Sequence, residues 1–180
     1  IIASVLLLIG SVVVTAYLLF SNYQQARLFT QAKREFLRGS AESLALAKVQ
    51  LLQVIEHDDD NEAAYVMLAE IAGKQKNYPE QVYYYFMAHR LNPLSRENAE
   101  KYVKSLLLTR HFHRLETFLF QQPELSDEWQ QLLLYSAGRN GNISKYKAEL
   151  RPGNVLNELT FLLCKDNTLT IDEKLEALEK

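Results

Sequence analysis

Two histidines are the residues whose types and spacing first suggest chemistry. His111 and His113 flank Phe112, and histidine serves both as a zinc ligand and as a general acid or base near neutral pH. A zinc site needs three or four ligands, and no Cys or further His of the sequence stands at a ligand spacing from this pair. We therefore predict no metal site, and we expect both side chains to project toward solvent around a buried Phe112.

The run Asp58–Asn61 is the second candidate, because three aspartates in a row could suggest calcium. A calcium-binding loop alternates its ligands and ends on a Glu, and that spacing is missing here. Short polar side chains also accept hydrogen bonds from the free N–H groups at the start of a helix, where negative charge is favourable. We predict that this run caps the following helix.

Nothing else in the sequence predicts catalysis. Cys164 lies in the apolar run FLLC and is typical of a small buried hydrophobe. The G-x-S-x-G, H-E-x-x-H and glycine-rich phosphate motifs are missing, and Asp and Glu are spread along helix faces as solvated residues are. The net charge of −2 and pI of about 6.1 argue against nucleic acid as a partner. We predict that the protein is not an enzyme, with no catalytic residue, cofactor, metal or small-molecule substrate.

The first twenty residues contain no charge, and no Asn, Gln or Pro. A helix of about 20 apolar residues crosses a bilayer, and aromatic residues near its end favour the membrane interface. We predict a transmembrane helix over residues 1–21 that contacts lipid as a signal-anchor. The localisation that we expect is single-pass, with the rest of the chain on the non-cytoplasmic (periplasmic) side.

The remainder of the chain indicates helices only, because Gly (6) and Pro (4) are scarce and fall between apolar segments of helical period. Residues 22–38 continue the membrane helix or follow it closely, as a juxtamembrane helix or the first helix of the helical part. The pattern still reads as helical at Lys180, which predicts that the C-terminal hairpin at 151–180 continues beyond it. The helices predicted between these two segments are 41–57, 62–74, 79–91, 95–109, 112–122, 126–138 and 143–150.

Apolar and aromatic residues recur with a period of 34: Tyr78 matches Phe112, and Ala72 matches Leu106. A 34-residue unit of two helices resembles the tetratricopeptide repeat, and residues 62–95 carry the resemblance best. The departures are Ala72, where the family usually has Tyr, and Gln81, where it usually has Ala. The residues expected to pack the repeats are Tyr65, Leu68, Ala69, Ala72, Tyr78, Val82, Tyr85, Ala88, Pro93, Tyr102, Leu106, Phe112 and Trp129.

The resemblance implies an all-α fold, in which the transmembrane helix precedes an α-solenoid of TPR-like hairpins over residues 39–150. One hairpin cannot bury its apolar face alone, so each must stack on a neighbour. On this reading most of the aromatic row at residues 83–86 is core. We expect Tyr78 and Tyr85 on one buried stripe, and one of Tyr83 and Tyr84 at the surface.

In this family the first helices of the repeats line a concave groove for a peptide. Some members bind the C-terminal carboxylate of a peptide with basic and Asn side chains on these helices. The resemblance does not imply that site here, because Val66 and Glu70 occupy the corresponding positions. Mixed charge favours a helix or extended segment of a protein partner. By position, the expected groove residues are Val66, Glu70, Lys74, Glu97, Lys101 and Lys104.

Three interpretations follow. The first is a membrane-anchored scaffold or adaptor that binds protein partners and helps to assemble or recruit a membrane or envelope complex. The second is a structural subunit of a larger membrane assembly, held partly by its span through the small residues Ala3, Gly10, Ser11 and Ala16. The third is the regulatory repeat region of an enzyme whose catalytic domain lies after residue 180.

Overall fold

A computed structural model describes the backbone of residues 2–149 and the side chains of residues 9–146. The described part contains seven α-helices and a 3₁₀ segment, which confirms the all-α class. The chain divides into two compact units, unit 1 through Ser105 and unit 2 from Leu106. The predicted hairpin at 151–180 and Cys164 lie outside the described residues. The helices are α1 (Ile2–Arg38), α2 (Ala41–His57), α3 (Glu62–Lys74), α4 (Tyr78–Leu91), α5 (Arg96–Leu108), α6 (Phe112–Phe120) and α7 (Asp127–Arg139), followed by the 3₁₀ segment Ile143–Glu149.

The N-terminal segment requires a correction. Across the residues that the structure describes, no helix unites the length and the apolar character that a membrane crossing demands. The predicted transmembrane helix at residues 1–21, and the single-pass localisation, are therefore wrong for this part of the chain. From Ile9, where the described side chains begin, only twelve residues precede the polar segment Ser21–Gln25, whereas a span needs about 20 apolar residues. α1 continues past residue 21 as one helix of 37 residues, as one of the two alternatives for residues 22–38 expected.

Unit 1 is built from packed helix pairs. α1 packs on α2, α2 on α3 and α3 on α4. α2 shows why: Leu44, Ala47, Leu51 and Val54 recur at helical spacing, and all four are buried. Lys48 of α2 also forms an ion pair with Glu80 of α4, so α2 is tied to both helices of the next hairpin.

The turns that follow α3, α5 and α7 have the same geometry. Each turn contains one residue in the left-handed region: Lys76 (φ 58°), Arg110 (φ 57°) and Gly141 (φ 75°). Lys76 and Arg110 are 34 residues apart, which is the period found in the sequence. The following N–H reaches back over the turn, a Schellman arrangement that satisfies a helix-end carbonyl. These bonds run from Asn77 to Ala72 (2.8 Å), from His111 to Leu106 (2.9 Å) and from Asn142 to Ala137 (2.7 Å).

Short polar side chains begin the next helices. The Asn61 side chain accepts a hydrogen bond from the Ala64 N–H at 3.0 Å, which confirms that the Asp58–Asn61 run caps α3. Ser40 caps α2 in the same way, and Pro79 stands in the first turn of α4, where its missing N–H costs nothing. The starts of α2, α3 and α4 are therefore set by capping hydrogen bonds and by the backbone of proline.

Two of the four aromatic residues at 83–86 of α4 are core, so the expectation that most of this row is buried is wrong. Tyr84 and Tyr85 are buried, whereas Tyr83 is 54% and Phe86 is 42% exposed. The expectation that one tyrosine of the 83–84 pair reaches the surface is confirmed. Tyr84 lies against Tyr65 of α3, with ring centroids 6.4 Å apart. Tyr78, placed on the buried stripe by sequence, is 36% exposed, because it stands at the first position of the helix.

Unit 2 is held by α6 on α7 and by α7 on the 3₁₀ segment. Leu115 and Leu119 of α6 and Leu133 of α7 are almost fully buried. The Trp129 ring lies 6.3 Å from the Phe118 ring. A small apolar core, to which each helix contributes one face, therefore stabilises this unit.

Candidate functional site

A groove of about 430 Å³ opens on unit 1, and three helices form its walls. α1, α3 and α5 are the first helices of successive hairpins, so the groove lies on the face that the sequence pattern assigns to them. The residues that line it are Phe29 and Lys33 of α1, Glu62, Ala63, Val66, Met67 and Glu70 of α3, and Ser95, Glu97, Asn98 and Lys101 in and just before α5.

Four of the six residues expected in a groove are brought together here: Val66, Glu70, Glu97 and Lys101. The other two, Lys74 and Lys104, lie outside it. The Lys74 ammonium is 4.1 Å from the centroid of the Phe36 ring, so this side chain joins α3 to α1. Lys104 is exposed on α5, one turn beyond Lys101.

The α1 residues of the groove were missed at the sequence level. Phe29 and Lys33 were assigned to a juxtamembrane segment or first helix, with no place in the groove. Their spacing of four residues puts both on one helix face, which was the available signal. Only the packing of α1 beside α3 reveals that this face lines the groove.

Lys101 is the charged centre of the α3–α5 wall. Its ammonium lies 2.8 Å from a Glu97 oxygen and 3.5 Å from a Glu70 oxygen. Partial burial by itself lowers the pKa of Lys101, but the hydrogen bonds and charges of the two carboxylates outweigh burial and raise it. The hydrogen bond from Lys101 in turn lowers the pKa of Glu97. One lysine therefore faces two carboxylates.

Glu62, at the start of α3, is held by neutral donors. The Asn98 amide donates to one carboxylate oxygen at 2.6 Å, and the Asn92 amide donates to the other at 3.0 Å. Asn98 is buried and also donates to the Ala88 carbonyl at 3.3 Å. These bonds orient the carboxylate without cancelling its charge, so α3 and α5 present a wall with excess negative charge.

The floor of the groove is apolar. Phe29, Val66 and Met67 are half-buried and face the open space. Lys33 on the α1 side is exposed, and among the described residues it takes part in no ion pair. The arrangement can therefore hold an apolar side chain between groups of opposite charge.

The residues expected to pack the repeats are mostly in the core. Tyr78 and Pro93 are exposed, and Phe112 and Trp129 are half-buried. Phe112 lies under Arg139 and at the edge of the Tyr135 ring, while His111 and His113 are exposed on either side of it. The buried members of the set are Tyr65, Leu68, Ala69, Ala72, Val82, Tyr85, Ala88, Tyr102 and Leu106.

The departure from the repeat pattern at Gln81 has a structural counterpart. A Cβ added at Gly73 of α3 would collide with the side-chain amide of Gln81 on α4. A glycine on one helix therefore makes room for the large side chain at position 81 of the other. This pairing preserves the close approach of α3 and α4, and spacing alone did not reveal it.

Unit 2 contains a polar cluster that the sequence interpretation missed. Glu116 is only 5% exposed, so the expectation that acidic residues are solvated is wrong for this one. Its carboxylate accepts hydrogen bonds from the Tyr146 hydroxyl at 2.8 Å, from the Asn142 amide at 3.2 Å and from the Asn140 amide. The available signal was its position beside Leu115 and one turn before Leu119, on the apolar face of α6.

The pKa of Glu116 reflects two opposed effects. Burial by itself raises the pKa of this carboxyl, but the hydrogen bonds from Asn140, Tyr146 and Asn142 and the charge of Lys145 outweigh burial, so the pKa is lowered. The carboxylate is therefore charged near neutral pH. All of its donors belong to the end of α7 and the segment that follows, which makes the cluster a tie within unit 2.

Over the part of the chain that the structure describes, no three His, Cys, Asp or Glu side chains are grouped so that they could hold a metal ion. No family model, curated protein or solved structure matches the chain. The resemblance to the tetratricopeptide repeat, and the solenoid that it implies, stay predictions based on residue spacing.

Proposed function

We propose that the protein is a helical-repeat scaffold of the tetratricopeptide type, which binds a segment of a protein partner in the groove of unit 1. The observation behind this proposal is that Val66 and Glu70 of α3 line the same groove as Glu97 and Lys101 of α5. The resemblance assigns partner binding to this face of the first helices. The function is binding, without bond-making.

The construction of the groove supports binding, because its walls are held before any partner arrives. The amides of Asn92 and Asn98 orient Glu62, and Lys101 links α3 to α5 through Glu70. A preformed site loses little conformational entropy when it is occupied. The half-buried apolar side chains between these walls form a surface that an apolar side chain of a partner can cover.

The test is to pan a library of random 12-residue peptides against the full chain, and to measure the affinity of enriched peptides by fluorescence anisotropy. Val66→Arg places a long charged side chain on the apolar floor, and we expect it to weaken binding at least about tenfold. Lys104→Glu is the matched control, because Lys104 is exposed on α5 but does not line the groove; its effect should stay under about twofold.

Circular dichroism of both variants shows whether the fold is kept. The proposal fails if no peptide is enriched over an unrelated helical protein. It also fails if correctly folded Val66→Arg binds the enriched peptides as well as the unsubstituted chain does.

A further inference from the structure

The two sides of the unit 1 groove differ in charge. On the α1 side stands Lys33, which is exposed and takes part in no ion pair among the described residues. On the other side Glu62, Glu70 and Glu97 face only one lysine, Lys101. The charge of the groove therefore changes from positive on the α1 side to negative on the side formed by α3 and α5.

The space between the two sides is apolar. Phe29 projects from α1, and Val66 and Met67 project from α3. Helix periodicity places Phe29 one turn before Lys33, and Val66 one turn before Glu70, so apolar and charged positions are adjacent on both helices. An occupant that matches this surface needs one apolar group flanked by groups of opposite charge.

We infer that, if the proposed function holds, the groove selects an extended protein segment with an acidic, an apolar and a basic residue at alternate positions. The acidic residue lies toward Lys33 and the apolar residue contacts Phe29 and Val66. The basic residue lies toward the carboxylates of α3 and α5. The partner is thus defined by the chemistry of these three residues.

Alternate positions follow from the geometry of an extended chain. In an extended chain, residues i and i+4 are about 13 Å apart and their side chains point to the same face.

The experiment searches the peptides enriched on the full chain for the motif, read in either direction along the peptide. In one enriched peptide the acidic residue is changed to Lys. In the protein, Lys33→Glu reverses the exposed charge of the α1 side, with Lys104→Glu as the control. Affinities of all four protein and peptide combinations are measured at low and at high salt.

The inference predicts that either single reversal weakens binding about two- to fivefold, and that combining Lys33→Glu with the Lys-bearing peptide restores it. High salt should shrink these differences. Changing the apolar residue of the peptide to Ala should weaken binding at least about tenfold.

Each other outcome has a distinct meaning. Enriched peptides that lose affinity on Val66→Arg but lack the motif, or that show no restoration on charge exchange, overturn this inference and leave the proposed function in place. The absence of any peptide sensitive to Val66→Arg overturns both.

Discussion

Replacing the buried carboxylate of unit 2 by an amide of the same shape should destabilise that unit. Glu116 on α6 accepts hydrogen bonds from Asn140, Asn142 and Tyr146, and all three donors lie at or beyond the end of α7. Glu116→Gln keeps one acceptor oxygen but turns the other toward the donors as an NH₂ group. Donor then faces donor, and the charge is lost.

The expected magnitude follows from the number of bonds. A hydrogen bond to a charged group contributes about 1.5–3 kcal/mol, and a buried polar group left without a partner costs about 1–3 kcal/mol. Gln at position 116 keeps part of the network, so we expect the free energy of unfolding to fall by about 2–3 kcal/mol. Tyr146→Phe removes only one donor and should cost about 1–2 kcal/mol.

The measurement is a urea titration followed by tryptophan fluorescence. Trp129 is the only tryptophan of the chain, and its ring lies 6.3 Å from Phe118, so it joins α7 to α6 and reports on unit 2. Glu124→Gln is the matched control, because Glu124 is exposed; it should change stability by less than about 0.5 kcal/mol.

The pH dependence has a defined sign. The pKa of Glu116 is lowered in the folded state, so its carboxylate contributes stability above the unfolded pKa of about 4.3. That contribution is lost as the pH falls through the lowered folded pKa. The gap between the unsubstituted chain and Glu116→Gln should therefore be largest at neutral pH and should narrow below about pH 4. A variant that matches the unsubstituted chain at pH 7, or a gap that is equal at pH 7 and pH 3.5, would refute the reasoning.

Three further predictions concern backbone and packing, and each is measured by urea unfolding followed by circular dichroism. Gly73→Ala should stabilise by about 1 kcal/mol when Gln81→Ala has removed the amide that its Cβ would meet, and by less when Gln81 is present. Lys76→Gly should stabilise by about 0.5–1 kcal/mol, because φ is 58° there, whereas Gly141→Ala should destabilise by about 1 kcal/mol at φ 75° with no neighbour within 4 Å. Asn61→Ala should cost about 1 kcal/mol, because it removes the cap of α3.

These predictions have separate points of failure. Equal effects of Gly73→Ala with and without Gln81 would mean that the two residues are not coupled. A loss of stability in Lys76→Gly would contradict the turn geometry, and a neutral Asn61→Ala would mean that another residue of the Asp58–Asn61 run supplies the cap.

Much of the helical framework could be predicted because its signals are local. Gly39, Asn61 and Pro79 stand where helices end or begin, and apolar residues at helical spacing mark what lies between. The error at residues 1–21 came from the same local evidence. The apolar composition was interpreted as a membrane span, whereas no described helix has the length and apolar character that a span requires.

The candidate site was predictable only in part. Val66 and Lys101 followed from their positions on the first helices, because a repeat pattern states which face they share. Lys74 was misplaced, since its side chain lies over Phe36 on a neighbouring helix. Glu116 was missed, because a carboxylate looks solvated until its donors, 24 or more residues away, come into contact with it.

By itself, then, the amino-acid sequence determined the all-α class, most of the helix boundaries after residue 38 and the 34-residue spacing of the turns at Lys76 and Arg110, because capping, turn formation and helical periodicity act over a few residues. Tertiary structure alone decided that α1 supplies one side of the groove, that Gly73 accommodates Gln81 and that Glu116 is buried among neutral donors. Those features arise where helix faces distant in the chain meet, and local preferences do not say which faces those will be.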